Sequence, residues 1–354
     1  MAAIWQRSEL MMKRRRPMAD PRVGETLKAG GTVSDEDAGD LFEPIFALAD
    51  GIEAMPTAVA HPCSDAALQA AVEAAARDLI VPILVGPQQR IREIADRLQI
   101  DLSPYRLVDA PHSHAAAQAA VDLVRAGEAE MLMKGSLHSD ELLAAVVARE
   151  TGLRTERRLS HVFLMDVPGY HKLLMITDAA INIFPTLDDK RDICQNAIDL
   201  AHVLGIELPK VAIVSAIETV TAKIPSTCDA AALCKMADRD QITGGLLDGP
   251  LAMDNAISAE AARIKGIRSA VAGDPDIIVV PDMEAGNILA KQLTFMADSL
   301  AAGVVLGARV PIVLTSRADS VRSRLASCAV AALIADSRRR ALAGGIGGNG
   351  GASV

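Results

Sequence analysis

From about residue 55 onward, short apolar runs alternate with stretches whose apolar positions recur every three or four residues. That rhythm predicts strands alternating with amphipathic helices. Residues 57–60 read as a strand, and the loop His61-Pro62-Cys63-Ser64 follows, with Ser64 placed to cap a helix. That helix puts Leu68, Val72, Ala75 and Leu79 on one face. Residues 81–85 form the next strand, closed by Gly86-Pro87. Ser113 caps a helix with Ala117, Val121 and Val124 inward, and Gly127 ends it. A strand at 130–133 runs into Lys134-Gly135-Ser136-Leu137-His138, and Ser139 caps the helix beyond, with Asp140 and Glu141 in its first turn.

This β-α-β-α order predicts an α/β fold with a mostly parallel sheet covered by helices. The rhythm breaks at residues 162–167 and 172–177, two apolar runs joined only by Pro168-Gly169-Tyr170-His171. So short a link suits an antiparallel pair. A helix with Ile193, Ala197, Leu200 and Leu204, stopped by Gly205, leads to a strand at 211–214. Strands at 277–280 and 310–314 follow, joined by a long helix from about Ala285 to Ala301. The length suggests two domains. The boundary falls at 151–160, so the first, discontinuous domain takes 41–150 and 302–340 and the second takes 151–301.

Composition narrows the function classes. Aromatic residues make up 2% of the chain and the formal net charge is −9, which argues against a nucleic-acid surface. No apolar run approaches about 18 residues, so no membrane span is expected. The five cysteines form no CxxC pair and read as free thiols in a reducing cytoplasm. The basic run at 13–16 has no apolar segment behind it, so residues 1–40 read as a disordered extension rather than a secretory signal. The glycine-rich residues 341–354 read as a flexible tail.

In open α/β sheets, ligands collect at the carboxyl ends of strands. Three strand-following segments stand out. Thr315-Ser316-Arg317-Ala318-Asp319-Ser320 gathers hydroxyls, a guanidinium fork suited to phosphate oxygens, and a carboxylate. By its chemistry alone it reads equally as a polar strand end with Ser316 capping a helix. Lys134-Gly135-Ser136-Leu137-His138 has the makings of an anion site, with glycine for close approach, a helix N-terminus and a lysine. It lacks the P-loop spacing and reads equally as a tight turn. Pro281-Asp282-Met283-Glu284-Ala285-Gly286-Asn287 opens a helix on which Asn287 and Lys291 share a face. Its carboxylates are too few to predict a metal site.

Taken together, these segments resemble the phosphate acetyltransferase and phosphate butyryltransferase family. The likeness spans about residues 55–335. It is carried by Met133-Lys134-Gly135 with His138, Asp248-Gly249-Pro250-Leu251, Ala272-Gly273, the stretch from Pro281 to Ile288, and Thr315-Ser316-Arg317. The resemblance implies two α/β domains of isocitrate- and isopropylmalate-dehydrogenase-like architecture, an active-site cleft between them, and a homodimer. It implies the reaction of acyl-CoA with phosphate to give acyl phosphate and coenzyme A, on short acyl chains, with no permanently bound cofactor and no metal.

By the same resemblance Arg317 binds phosphate and Ser316 stabilises the tetrahedral intermediate. Lys134 joins Arg317 around the phosphoryl group, and Asp319, or else His138, takes the thiol proton. Gly135, Ser136, Glu284, Asn287, Lys291 and Thr315 complete the expected substrate contacts. Acetyl-specific members carry an aspartate where this chain has Ser323 and an arginine where it has Ala145, which leans the reading to the butyryl-type branch. Two other readings share parts of the pattern. One is a regulatory protein that binds acyl-CoA or acyl phosphate without turnover. The other is an NAD-dependent dehydrogenase, although no GxGxxG follows an early strand.

Overall fold

The computed structural model describes residues 40–315 and 319–346, with side chains as far as Ala343. The basic run at 13–16, the glycine-rich end and the pair Ser316 and Arg317 lie outside the described residues. Eleven strands form one sheet. In chain order they are β1 (Met55–Ala60), β2 (Ile80–Gly86), β3 (Arg106–Asp109), β4 (Met131–Lys134), β5 (Ser160–Asp166), β6 (Leu174–Thr177), β7 (Lys210–Val214), β8 (Leu246–Leu251), β9 (Ile277–Val279), β10 (Leu300–Leu306) and β11 (Ile312–Val313). Their order across the sheet is β3-β2-β1-β4-β11-β10-β5-β6-β9-β7-β8.

The helices are α1 (Glu43–Ala49), α2 (Asp65–Ala76), α3 (Gln88–Leu98), α4 (Ser113–Arg125), α5 (Ser139–Val147), α6 (Leu187–Val203), α7 (Pro225–Ala237), α8 (Met253–Ile257), α9 (Ala259–Ile264), α10 (Met283–Met296) and α11 (Val321–Ile346). Their termini follow local chemistry. Ser64 Oγ accepts from the Ala67 amide at the start of α2, and Thr186 with Asp189 forms a reciprocal capping box on α6. The expected caps at Ser113 and Ser139 shift by one residue. His112 caps α4 through its ring, and His138 holds the N-cap position of α5 without a side-chain bond.

The three antiparallel pairings fall together at the middle of the sheet. β10 runs antiparallel to β11 and to β5, and β5 runs antiparallel to β6, while every other pairing is parallel. The β5–β6 hairpin is the antiparallel pair expected from the short Pro168–His171 link. A consequence is that β4 and β11 point one way and β6, β9, β7 and β8 the other. The carboxyl ends of the two flanks therefore lie on opposite edges of the sheet.

The expected long helix to Ala301 is two elements. α10 stops at Met296 and Leu300–Leu306 is strand β10. The segment Leu-Ala-Ala-Gly-Val-Val-Leu shows no two-residue alternation because apolar or small residues stand on both of its faces, so periodicity does not separate it from a helix. The short strand β3 and the helix α3 also went unread.

Side chains alternate between the two faces and build unequal layers. One face is a continuous core in which Val59, Met133, Val313, Val304, Val162 and Met175 pack under α1, α2, α3, α6, α7 and α11. The other face is split in two. Leu132, Ile312 and Val305 pack under α4 and α5, whereas Met165, Ile176 and Ile278 pack under α8 and α10. The gap between these two layers lies over β5 and β10.

Helix α11 is pinned behind that gap by Ser327. Its buried hydroxyl accepts from the Gly303 amide at 2.9 Å and donates to the Ser323 carbonyl at 2.8 Å. Ser327→Ala would strand a buried strand amide, so it should lower unfolding free energy by about 1–3 kcal/mol. Urea denaturation measures this, and an unchanged midpoint would contradict the pinning role.

Candidate active site

The gap holds a cavity of about 720 Å³. Six of the residues singled out in the sequence line it together: Lys134, His138, Asn287, Lys291, Thr315 and Asp319. They arrive from five elements. Lys134 ends β4, His138 opens α5, Thr315 follows β11, and Asp319 precedes α11. Asn287 and Lys291 come from α10, which begins at the opposite edge and runs back across the sheet face.

Because of that path, the stretch from Pro281 to Asn287 contributes a helix face rather than loop acids. Asn287, Lys291 and Thr294 recur at helical spacing along the cavity wall, and the Asn287 amide donates to the Ala179 carbonyl at 3.1 Å. Glu284 is exposed and does not line the cavity. Among the described residues no three His, Cys, Asp or Glu side chains converge on a metal position.

The turn after β4 is built by close backbone approach. The Gly135 amide donates to the Ala60 carbonyl at 2.9 Å and the Ser136 amide to the His61 carbonyl at 2.9 Å. A Cβ on Gly135 would sit 2.4 Å from both carbonyl oxygens, so only glycine fits. The Lys134 ammonium is buried and donates to the carbonyls of Gly135, at 3.4 Å, and Leu137, at 3.3 Å. This curls the lysine over its own turn. Gly135 and Ser136 face a smaller recess that shares Lys134 and Thr315 with the main cavity. Ser136 exchanges a 3.0 Å bond with His61 Nδ1 and donates to the His61 carbonyl.

On the Thr315 side, Ser320 Oγ accepts from the Ser323 amide and organises the start of α11. Arg324 donates to the Asp319 carbonyl at 2.8 Å. Ser323, at the position where acetyl-type relatives were expected to carry an acid, also lines the cavity.

The floor supplies residues that the sequence did not flag. His161 and Phe163 of β5 face the same side as Gly303 and Ala301 of β10, as the register Val305↔His161, Gly303↔Phe163 and Ala301↔Met165 requires. The His161 ring meets Phe163 edge-on at 4.3 Å. It occupies space that a side chain at 303 would fill, since a Cβ there would lie 2.9 Å from Nε2. Among the described residues, His161 Nδ1 is buried with no hydrogen-bond partner, and so is Ser299 Oγ at the far end of the floor. Two orphaned polar atoms in one cavity wall signal a polar ligand that would pair with them. A lone histidine inside an apolar strand gave no such signal in the sequence.

Burial pushes the His161 pKa down, and the nearby Asp178 only partly opposes this. Asp178 itself is fully engaged, accepting from the amides of Ala180, Ile181 and Asn182 and from the Asn182 side chain. His161 is therefore neutral near pH 7.

Comparison with known proteins places this site in context. A family model described as "Phosphate acetyl/butaryl transferase" matches residues 112–332. The chain is 64% identical over 300 residues to a phosphate acetyltransferase of Rhizobium meliloti, covering 85% of this chain and 95% of that one. It is 42% identical over 294 residues to a phosphate butyryltransferase of Clostridium beijerinckii, covering 83% and 97%. The crystal structure of a branched-chain phosphotransacylase from Enterococcus faecalis V583 superposes with a TM-score of 0.70 at 32% identity, over 79% of this chain and 99% of that one. The chain belongs to the phosphate acetyl/butyryl transferase family.

The buried imidazole gives stability a pH dependence. The unfolded chain binds a proton at His161 below about pH 6.5, while the folded chain does not until lower pH. Stability is thus present above that value and lost as pH falls, at up to about 1.4 kcal/mol per pH unit. His161→Gln should flatten the loss between pH 6.5 and 5, measured by urea midpoints. An identical slope in the variant would contradict the neutral, buried state.

Proposed function

We propose that this enzyme transfers a short acyl group between coenzyme A and inorganic phosphate, by direct attack and without a covalent enzyme intermediate. The observation that carries this reading is the single cavity in which Lys134, His138, Asn287, Lys291, Thr315 and Asp319 meet. Two cations face a volume suited to one small substrate group, inside a chain whose overall charge is −9. Such a setting favours a phosphate dianion locally and nowhere by bulk charge.

The chemistry divides as follows. Arg317 and Lys134 hold the phosphoryl oxygens, and Ser316 donates to the oxyanion of the tetrahedral intermediate. One such donor is typically worth about 3–4 kcal/mol. Aligning thiol and acyl phosphate supplies several further kcal/mol without any group of the protein being acylated. Asp319 takes the thiol proton. The neutral His161 ring, whose Nδ1 has no partner among the described residues, holds the attacking or departing thiol through a hydrogen bond. Phe163 and the small residues Ala301 and Gly303 leave room beside it for the acyl chain. Relatives of both names, acetyl- and butyryltransferase, match this chain, so chain length is a matter for direct assay.

The working unit we propose is a homodimer in the cytoplasm. Helix α10 leaves Ile288, Phe295 and Met296 largely exposed, with Phe295 also lining the cavity. Large apolar side chains grouped on one exposed helix face mark association surfaces. Among the described residues no helix is long and apolar enough to cross a membrane.

Release of free coenzyme A from acetyl-, propionyl- and butyryl-CoA, measured with and without phosphate, tests the reaction. Turnover should require phosphate, and Arg317→Ala should lower kcat/KM by about 10²–10³ while the protein stays folded. Binding of acyl-CoA without phosphate-dependent release would replace this reading with that of a regulatory protein.

Proton handling is separable by pH–rate profiles. Asp319→Asn should remove the limb of the kcat profile assigned to the base. His161→Gln should raise KM or lower kcat without moving that limb. An unchanged profile in Asp319→Asn would show that Asp319 is not the base.

A further inference from the structure

A second cavity, of about 680 Å³, lies on the other face of the sheet, where β10 ends. Strand β10 connects the two sites. Ala301 floors the active cavity, whereas Leu306 and Gly307 reach the second one. Six residues of extended chain separate them by about 20 Å. The second cavity is enclosed by α6, α11 and the segment around Thr155 and Arg157, and its apolar floor is Leu200, Leu306 and Ile334.

Its charge is one-sided. Arg157, Arg309 and Arg338 stand on the walls, against one acid, Asp199. Both oxygens of that acid are already engaged. Arg157 binds one at 2.9 Å, and the Gln195 side-chain amide donates to the other at 2.9 Å. The remaining polar groups sort cleanly. The Asn196 amide is taken by the Arg158 carbonyl and Ser160 Oγ, His202 by the Gly244 carbonyl, and Thr155 by the Gly307 carbonyl.

Two guanidinium groups and one hydroxyl are left. Arg338 donates to the Ala308 carbonyl at 3.1 Å and has no carboxylate within ion-pair distance among the described residues. Neither Arg309 nor Ser337 makes a side-chain bond among the described residues. Burial works against the Arg338 charge, and Asp199 compensates only in part. A half-buried cation whose neighbouring acid is already held by Arg157 and Gln195 carries a cost that a bound anion would offset. Two guanidinium forks and a hydroxyl around one space fit the several oxygens of a phosphate group better than a single carboxylate.

We propose that this cavity binds a small phosphate ester, with its anionic head on Arg309, Arg338 and Ser337 and its carbon skeleton against Leu200, Leu306 and Ile334. The site is separate from the acyl-transfer cavity and independent of the reaction assigned there. Its position at the far end of β10 gives an occupant a direct structural path to the reaction floor.

Calorimetric titration with 3-phosphoglycerate, run on the full chain with coenzyme A already saturating, tests the assignment. One site per chain is expected. The double variant Arg309→Ala/Arg338→Gln should bind at least about tenfold more weakly. Its kcat/KM in the absence of 3-phosphoglycerate should stay within about twofold of the parent. Arg309→Glu, at an exposed position, gives the same reading should the double variant fail to fold. Absence of saturable binding at millimolar 3-phosphoglycerate, or equal affinity in the variants, would overturn the proposal. So would loss of binding when coenzyme A is present, which would place the ligand in the active cavity. Tighter binding of citrate than of 3-phosphoglycerate would overturn the choice of a phosphate head.

Discussion

The reversal of strand direction at β10 and β5 is the constraint from which the site follows. Had the sheet been parallel throughout, helices would cover both faces evenly and strand ends would share one edge. With two antiparallel strands at its centre, the sheet sends the carboxyl ends of its flanks to opposite edges. One face still closes into a continuous core under α6 and α11. The other carries two separate helical layers, and the uncovered width between them is the cavity that Lys134, His138 and Asp319 line. Lys134 and Thr315 reach it from a carboxyl edge, whereas Asn287 and Lys291 reach it only because α10 returns across the sheet.

Much of this was legible residue by residue. The 3.6-residue spacing of Leu68, Val72 and Ala75 reports a helix packed on one face, and the four-residue link Pro168–His171 forces a hairpin. Gly135 advertised a close approach, and the structure supplies its cause in the carbonyls of Ala60 and His61. What could not be read were features fixed by the partner strand. β10 has no alternation because apolar or small residues stand on both of its faces. Glu284, an expected substrate contact, lies outside the cavity because the segment after β9 enters it as a helix face. His161 looks like an isolated polar residue until its register against Val305 and the missing side chain at Gly303 are known.

The site also divides its labour between rigid and adjustable parts. Gly135, the Asp178 turn and the Ser327 bonds are locked by backbone hydrogen bonds, which holds the surrounding groups to a fixed geometry. Lys134 and His138 flank the turn that Gly135 fixes. Fold stability and reaction chemistry therefore rest on different atoms of the same few segments.

The small residues along β10 have a consequence for how such an enzyme diversifies. Ala301 and Gly303 present almost no side chain to the cavity, and the opposite face of the same strand is anchored by Val304 and Ser327. Volume on the reaction side can thus be added or removed one methyl at a time at position 301, with the anchoring side untouched. Under the proposed function, a lineage can retune the acyl group it accepts at this one position. Position 303 is the exception, because any side chain there displaces the imidazole first.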